Sequence, residues 1–344
     1  MNMAPLTFPE LHYPFPPRIN KHVDAAEQST VDWLVARGLL TAPEDMERFR
    51  RSRMAEVVAR QFPDTEIWRL ELLSKWYVAL FTFDDQVCDE ALMGKDPGAL
   101  VRILPAFLRS LEEPLSATPP DNRFGRSLAE IWQELARCTT PGQYMRFADA
   151  VRAYFLGIVW EAAHRQADTV PSVPDYIMLR SFSCATLTIT ALLDWIGGYV
   201  VPGDDLAHPD VRKLQMLTAH VNAWCNDICS LGRETAAQTR ALHSLPIVIA
   251  HEKGCSLDQG LAESAEAHNA ALRTYVELEA SVRTWASPAL SRYLDDLRNA
   301  VRGFYDWGIT TVRYSVAGYF VMPDAPTAHG PRGEEEPRIH AHPS

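Results

Sequence analysis

No run of about 18 apolar residues occurs in the 344-residue chain, so no membrane-spanning helix is expected. The opening residues, MNMAPLTFPELHYPFPPRIN, lack a basic stretch followed by an apolar run, so they do not read as a secretory signal. Basic residues are in the minority, 33 Lys and Arg against 44 Asp and Glu, for a net charge of -11. Such a balance argues against general binding of nucleic acid. The six cysteines, Cys88, Cys138, Cys184, Cys225, Cys229 and Cys255, form no C-x-x-C pair and no zinc-ligand spacing. They read as reduced, mostly buried thiols of a cytoplasmic protein. The G-x-S-x-G elbow, the P-loop lysine motif and a D-x-D-D acid motif are all missing. His251-Glu252 has no second histidine four residues on, which removes a zincin. Strand-like alternation and internal repeats are also absent from the sequence.

What is present is helix after helix. Helical patterning covers 24–38, 43–61, 65–92, 97–112, 121–138, 141–166, 173–197, 208–235, 241–253, 256–283 and 287–316. Thr65, Asp121 and Ser256 are the expected N-caps, and Pro97 and Pro288 the expected first-turn prolines. No composition shift divides the chain, and 47% hydrophobic residues supply one large core. The expected architecture is all-α, a single-domain helical bundle over 21–320. Residues 1–20, rich in proline and aromatics, should lie extended over that body, and 321–344 should form a disordered tail.

Two polar stripes interrupt the apolar helices. In 65–92, Tyr77, Phe81, Asp84 and Cys88 follow at spacings of four, three and four, and so share a face. Asp85 and Asp89 lie beside it at i, i+4, and clustered carboxylates repel one another unless a cation neutralises them. In 208–235, Asn226, Ser230, Arg233 and Glu234 occupy i, i+4, i+7 and i+8. An amide oxygen, a hydroxyl and a carboxylate suit Mg²⁺, and Arg233 can reach a phosphate oxygen. Such a pair of stripes points to chemistry on a diphosphate. Asp204-Asp205, in a Pro-Gly loop, and Asp295-Asp296, lacking a spaced third carboxylate, read as surface features.

These residues resemble the two metal motifs of class I terpene synthases, in particular the microbial, sesquiterpene-synthase-like cyclases. Asp84, Asp85 and Asp89 are similar to the D-D-x-x-x-D/E form of the aspartate-rich motif, which departs from the strict D-D-x-x-D. Asn226-Asp227, Ser230, Arg233 and Glu234 match N-D/S-x-x-S/T-x-x-K/R-E in full. Arg180, 46 positions before Asn226, matches the family's diphosphate-sensing arginine. Arg313-Tyr314 matches a closing Arg-Tyr pair on the last helix, with Trp307 six residues ahead of Arg313. At the helix break after the sensor, Ser183 and Cys184 stand where the family often carries Asp and Gly.

The resemblance implies a bundle with a central active-site cavity that ionises and cyclises a linear isoprenyl diphosphate, most readily the C15 farnesyl diphosphate, to a hydrocarbon or alcohol. Three Mg²⁺ ions, with Mn²⁺ as a substitute, are implied: Asp84 and its neighbours on one side, Asn226, Ser230 and Glu234 on the other. Arg180, Arg233, Arg313 and Tyr314 would donate to phosphate oxygens, and the Cys184 carbonyl would assist ionisation. Tyr77, Phe81 and Trp307 are the candidate cavity lining, since ring faces stabilise cations. A homodimer is common in the family. The alternatives are a chain-elongating prenyl diphosphate synthase and a non-catalytic helical binding protein.

Overall fold

The computed structural model describes residues 6–83, 92–236, 243–316 and 319–321. The aspartates 84, 85 and 89 of the first stripe, and all but the first residue of the expected tail, lie outside the described residues.

The described chain runs β1 (Leu6–Thr7), α1 (Val23–Ala36), α2 (Pro43–Ser52), α3 (Met54–Gln61) and α4 (Ile67–Phe83). It continues, after a 3-10 turn at Leu92–Lys95, with α5 (Pro97–Glu112), α6 (Arg123–Cys138) and α7 (Pro141–Ala167). Then come α8 (Val173–Ser183), α9 (Thr186–Thr190), α10 (Leu193–Ile196) and α11 (Gly203–Ala207). The last elements are α12 (Pro209–Ala236), α13 (Leu245–Lys253), α14 (Leu257–Arg283), α15 (Pro288–Gly308) and β2 (Phe320–Val321). α12 packs against α8, α9, α14 and α15, while α3 bridges α4 and α15. Trp76, Trp132, Trp307, Tyr176, Tyr275, Tyr293 and Phe147 are among the largest fully buried side chains.

Local chemistry accounts for most helix ends. Ser256 caps α14 in a capping box with Gln259, and Pro97 and Pro288 open α5 and α15. Thr65 is not a cap: its hydroxyl donates to the Ile196 carbonyl at 2.6 Å, and α4 starts two residues later. Asn122, rather than Asp121, caps α6 by accepting from the Gly125 N–H.

Three expected helices are broken. The 43–61 segment divides at Arg53, which adopts the left-handed region (φ 46°) while its guanidinium binds Asp24 and Glu56. The carbonyls freed at this break, those of Ser52 and Arg53, accept the Trp307 indole N–H at 3.2 and 3.0 Å. The 173–197 segment becomes α8, α9 and α10, parting at Ala185 in the left-handed region (φ 59°). The last long helix ends at Gly308, so Arg313 and Tyr314 follow it in a turn instead of lying on it.

A parallel strand pair, invisible to sequence patterning, joins the first and last of the described residues: Leu6 pairs with Phe320 and Thr7 with Val321. The proline-rich segment behind β1 runs over the helices. Arg302 donates to the Phe15 carbonyl at 2.8 Å, Asn269 binds the Glu10 carbonyl and the His12 N–H, and Tyr13 stacks on Tyr305 at 4.2 Å.

Where α15 meets α3, a Cβ on Gly303 would lie 2.4 Å from the Arg60 backbone carbon. Backbone cannot swing aside, so Gly303→Ala is expected to destabilise the fold by about 1–3 kcal/mol in urea denaturation. Buried His268, at 2.9 Å from the Tyr13 hydroxyl, is held neutral by burial, its pKa pushed down to about 4. A depressed folded pKa gives stability that is present above the ordinary value near 6.5 and lost as pH falls toward 4. The stability gap between wild type and His268→Gln should therefore narrow over that interval.

Candidate functional site

A cavity with about 660 Å³ of atom-free space, its open mouth included, lies between α3, α4, α7, α8, α9, α12 and α15. Much of its lining is apolar or aromatic: Tyr77, Leu80, Phe81, Tyr154, Ile189, Ala223 and Phe304. Polar groups enter from the α8 break (Arg180, Ser183, Cys184), from Thr186 of α9, from α12 (Asn222, Asn226) and from Gln61 of α3.

The arginine and the α12 motif are joined directly. Arg180 Nε donates to Asp227 Oδ1 at 2.9 Å, and its Nη2 donates to Asn226 Oδ1 at 2.7 Å. Asp227 is buried, and its other oxygen accepts from the Tyr176 hydroxyl at 2.7 Å and the Leu245 N–H at 3.1 Å. Burial alone would lower the Arg180 pKa; the facing Asp227 outweighs it and holds the guanidinium pKa well above its usual value. Asn226 Nδ2 donates to the Tyr314 hydroxyl at 2.7 Å. The residue pair from the far end of the chain thus reaches the same point, with Arg313 lying 4.8 Å over the Phe81 ring.

One turn further along α12, the Ser230 hydroxyl donates to the Asn226 carbonyl at 2.7 Å and meets Glu234 Oε1 at 2.6 Å. Burial, reinforced by the charge of Asp227, raises the Glu234 pKa to about 7. Arg233 is near enough to oppose that shift, and it also pulls down the hydroxyl pKa of Tyr314, which burial raises. Glu234 Oε2 is buried without a hydrogen-bond partner. An orphaned carboxylate oxygen on the same helix face as an amide oxygen and a hydroxyl is a donor set that a hard divalent cation fits. Among the described residues no three His, Cys, Asp or Glu side chains cluster as metal ligands, so the oxygens of this stripe are the candidate set.

The chain leaves α8 at Cys184 and turns at Ala185, bringing the break to the cavity wall. α7 closes on this break at Gly157, where a Cβ would sit 2.6 Å from the Ser183 backbone nitrogen. The Ser183 hydroxyl donates to buried Glu161, which Arg165 also holds. Over α12, the Tyr319 ring lies where a Cβ on Gly232 would be 2.6 Å away. Its carbonyl accepts the Leu6 N–H at 2.8 Å, so the N-terminal strand holds the C-terminal segment against the motif helix.

Of the three expected lining aromatics, Tyr77 and Phe81 face the cavity. Trp307 is not among the cavity's lining residues; it is fully buried behind Phe81, ring centres 5.9 Å apart, and edge-on to Tyr314 at 5.4 Å. Sequence reasoning missed Tyr176, Glu161 and Asn222. Tyr176 lies four residues before Arg180 and Asn222 four before Asn226, a spacing that places each on its partner's face.

The family model described as "Terpene synthase family 2, C-terminal metal binding" matches residues 75–274. The chain belongs to the terpene synthases. It is 31% identical over 318 residues to a germacradien-6-ol synthase of Streptomyces pratensis, spanning 92% of this chain and 87% of that one. A farnesyl diphosphate-cyclising 4-epi-cubebol synthase of Streptosporangium roseum is also 31% identical, over 91% of this chain and 94% of that one. Among solved structures, the SVS_A2 protein from ancestral sequence reconstruction superposes with a TM-score of 0.82 at 28% identity, covering 93% and 96% of the two chains. In this terpene synthase no helix among the described residues is long and apolar enough to cross a membrane.

Truncating one partner of a buried ion pair strands the other charge, so Asp227→Ala should lower stability by about 3–5 kcal/mol. Tyr176→Phe removes only one donor to the same carboxylate and should cost about 1 kcal/mol. Urea unfolding of the two variants checks the ratio.

Proposed function

We propose that this terpene synthase ionises and cyclises farnesyl diphosphate to a cyclic sesquiterpene hydrocarbon or alcohol, releasing diphosphate. The observation that carries the reading is Asn226, the first residue of the α12 oxygen stripe, bonded to both Arg180 and Tyr314 beside a cavity lined with aromatic rings. The cyclase names of the relatives favour ring closure over chain elongation.

Asn226, Ser230 and Glu234 would hold one Mg²⁺, and Asp84, with Asp85 and Asp89, would hold two more; Mn²⁺ would substitute. When bound, these ions supply Lewis-acid stabilisation of the departing diphosphate. Arg180, fixed by Asp227, presents a charged guanidinium to the phosphate oxygens without having to reorganise. Arg233, Arg313 and Tyr314 add donors from the same side. The C–O bond breaks with its electron pair leaving on oxygen, and the Cys184 carbonyl at the helix break would face the allylic cation that remains. Tyr77 and Phe81 offer ring faces to that cation and exclude water from it. A cytoplasmic homodimer goes with this reading.

Incubation with geranyl, farnesyl and geranylgeranyl diphosphates, with Mg²⁺ or with EDTA, should give a metal-dependent cyclic C15 product by GC–MS from the farnesyl substrate alone. A longer diphosphate in place of a volatile product would overturn cyclisation. Asn226→Ala and Glu234→Ala should each lower Mg²⁺-dependent turnover at least about a hundredfold with helical circular dichroism retained.

A further inference from the structure

The polar stripe of α12 does not begin at Asn226. Four residues earlier, about 6 Å down the helix axis, Asn222 presents a second carboxamide on the same face. The two amides are treated differently by the fold. Asn226 is engaged at both ends, by Arg180 and by Tyr314. Asn222 is 2% exposed, lines the cavity, and its Oδ1 is buried with no hydrogen-bond partner.

A buried amide oxygen without a donor carries an uncompensated desolvation cost, which leucine of similar size would not. Ala223, Ile189 and Phe304 line the same cavity as Asn222. An isoprenoid chain has no N–H or O–H to offer it. What that chain does offer, once the C–O bond has broken, is positive charge. The negative end of an amide dipole acts strongly on such a charge in surroundings of low dielectric.

We propose that Asn222 is a specificity-determining residue: its carboxamide oxygen stabilises positive charge on the hydrocarbon part of the substrate and so selects which cation is carried to product. The proposal rests on the cyclase reading above. It assigns Asn222 to the hydrocarbon and Asn226 to the diphosphate, although both occupy one helix face.

The test compares wild type with Asn222→Leu, which keeps the volume and removes the dipole, and Asn222→Asp, which keeps an oxygen in place. Diphosphate release from farnesyl diphosphate, GC–MS product ratios and thermal melting are followed together, in ordinary and ¹⁸O-labelled water. Expected for Asn222→Leu is at least a tenfold drop of the main product relative to total products, larger than any fall in diphosphate release. Asn222→Asp should restore the main product. Unchanged product ratios in Asn222→Leu would overturn the proposal. Parallel loss of diphosphate release and of every product would also overturn it, placing Asn222 with the diphosphate site. So would a selective loss of ¹⁸O from an alcohol product, which would make it a water holder. Should Asn222→Leu fail to fold, Asn222→Ala takes its place with the same outcomes. Absence of diphosphate release by wild type would instead refute the cyclase reading, so the two failures are distinguishable.

Discussion

The pairing of Arg180 with Asp227 is the constraint on which the site depends. A buried guanidinium is tolerated only if a carboxylate faces it and the remaining lone pairs of that carboxylate are satisfied. Tyr176 and the Leu245 N–H meet that requirement, so the pair draws together α8, α12 and the start of α13. With Asp227 turned toward Arg180, its neighbour Asn226 meets the second arm of the guanidinium, and Ser230 and Glu234 follow on the same face. The arginine therefore orients the metal-motif helix as well as facing the ligand.

Around this pair the fold is closed by close approaches that leave no room for a Cβ, one to backbone and one to the Tyr319 ring. α7 reaches the α8 break at Gly157, and the C-terminal segment reaches α12 at Gly232. The terminal strand pair holds that segment down, while the Tyr314 hydroxyl oxygen accepts from the Asn226 amide. Trp307 serves this arrangement from behind. Its indole bonds the break between α2 and α3 and its ring supports Phe81 and Tyr314. An aromatic near the cavity is thus used for scaffolding, and the rings that meet the cavity belong to Tyr77, Phe81, Tyr154 and Phe304.

Much of this was legible in the chain. Helix patterning is local, so the long helices and the caps at Ser256, Pro97 and Pro288 could be read directly. The breaks at Arg53 and Ala185 could not be, because each residue is held in a left-handed conformation by its surroundings and not by its own preference. The strand pair escaped notice for a similar reason: two residues on each side carry no periodicity until they meet.

The division is physical. Sequence by itself determined which residues of α12 share a face, since a spacing of four places side chains together in any α-helix. It thereby determined the Asn226, Ser230 and Glu234 stripe and the all-α class. Tertiary structure alone decided which of those groups are already paired and which are left over. Asp227 met Arg180 and Asn226 met Tyr314 across long stretches of chain, while the Asn222 carboxamide oxygen was left without a hydrogen-bond partner. Whether a polar atom finds a partner depends on what packs opposite it, and no spacing within one helix encodes that.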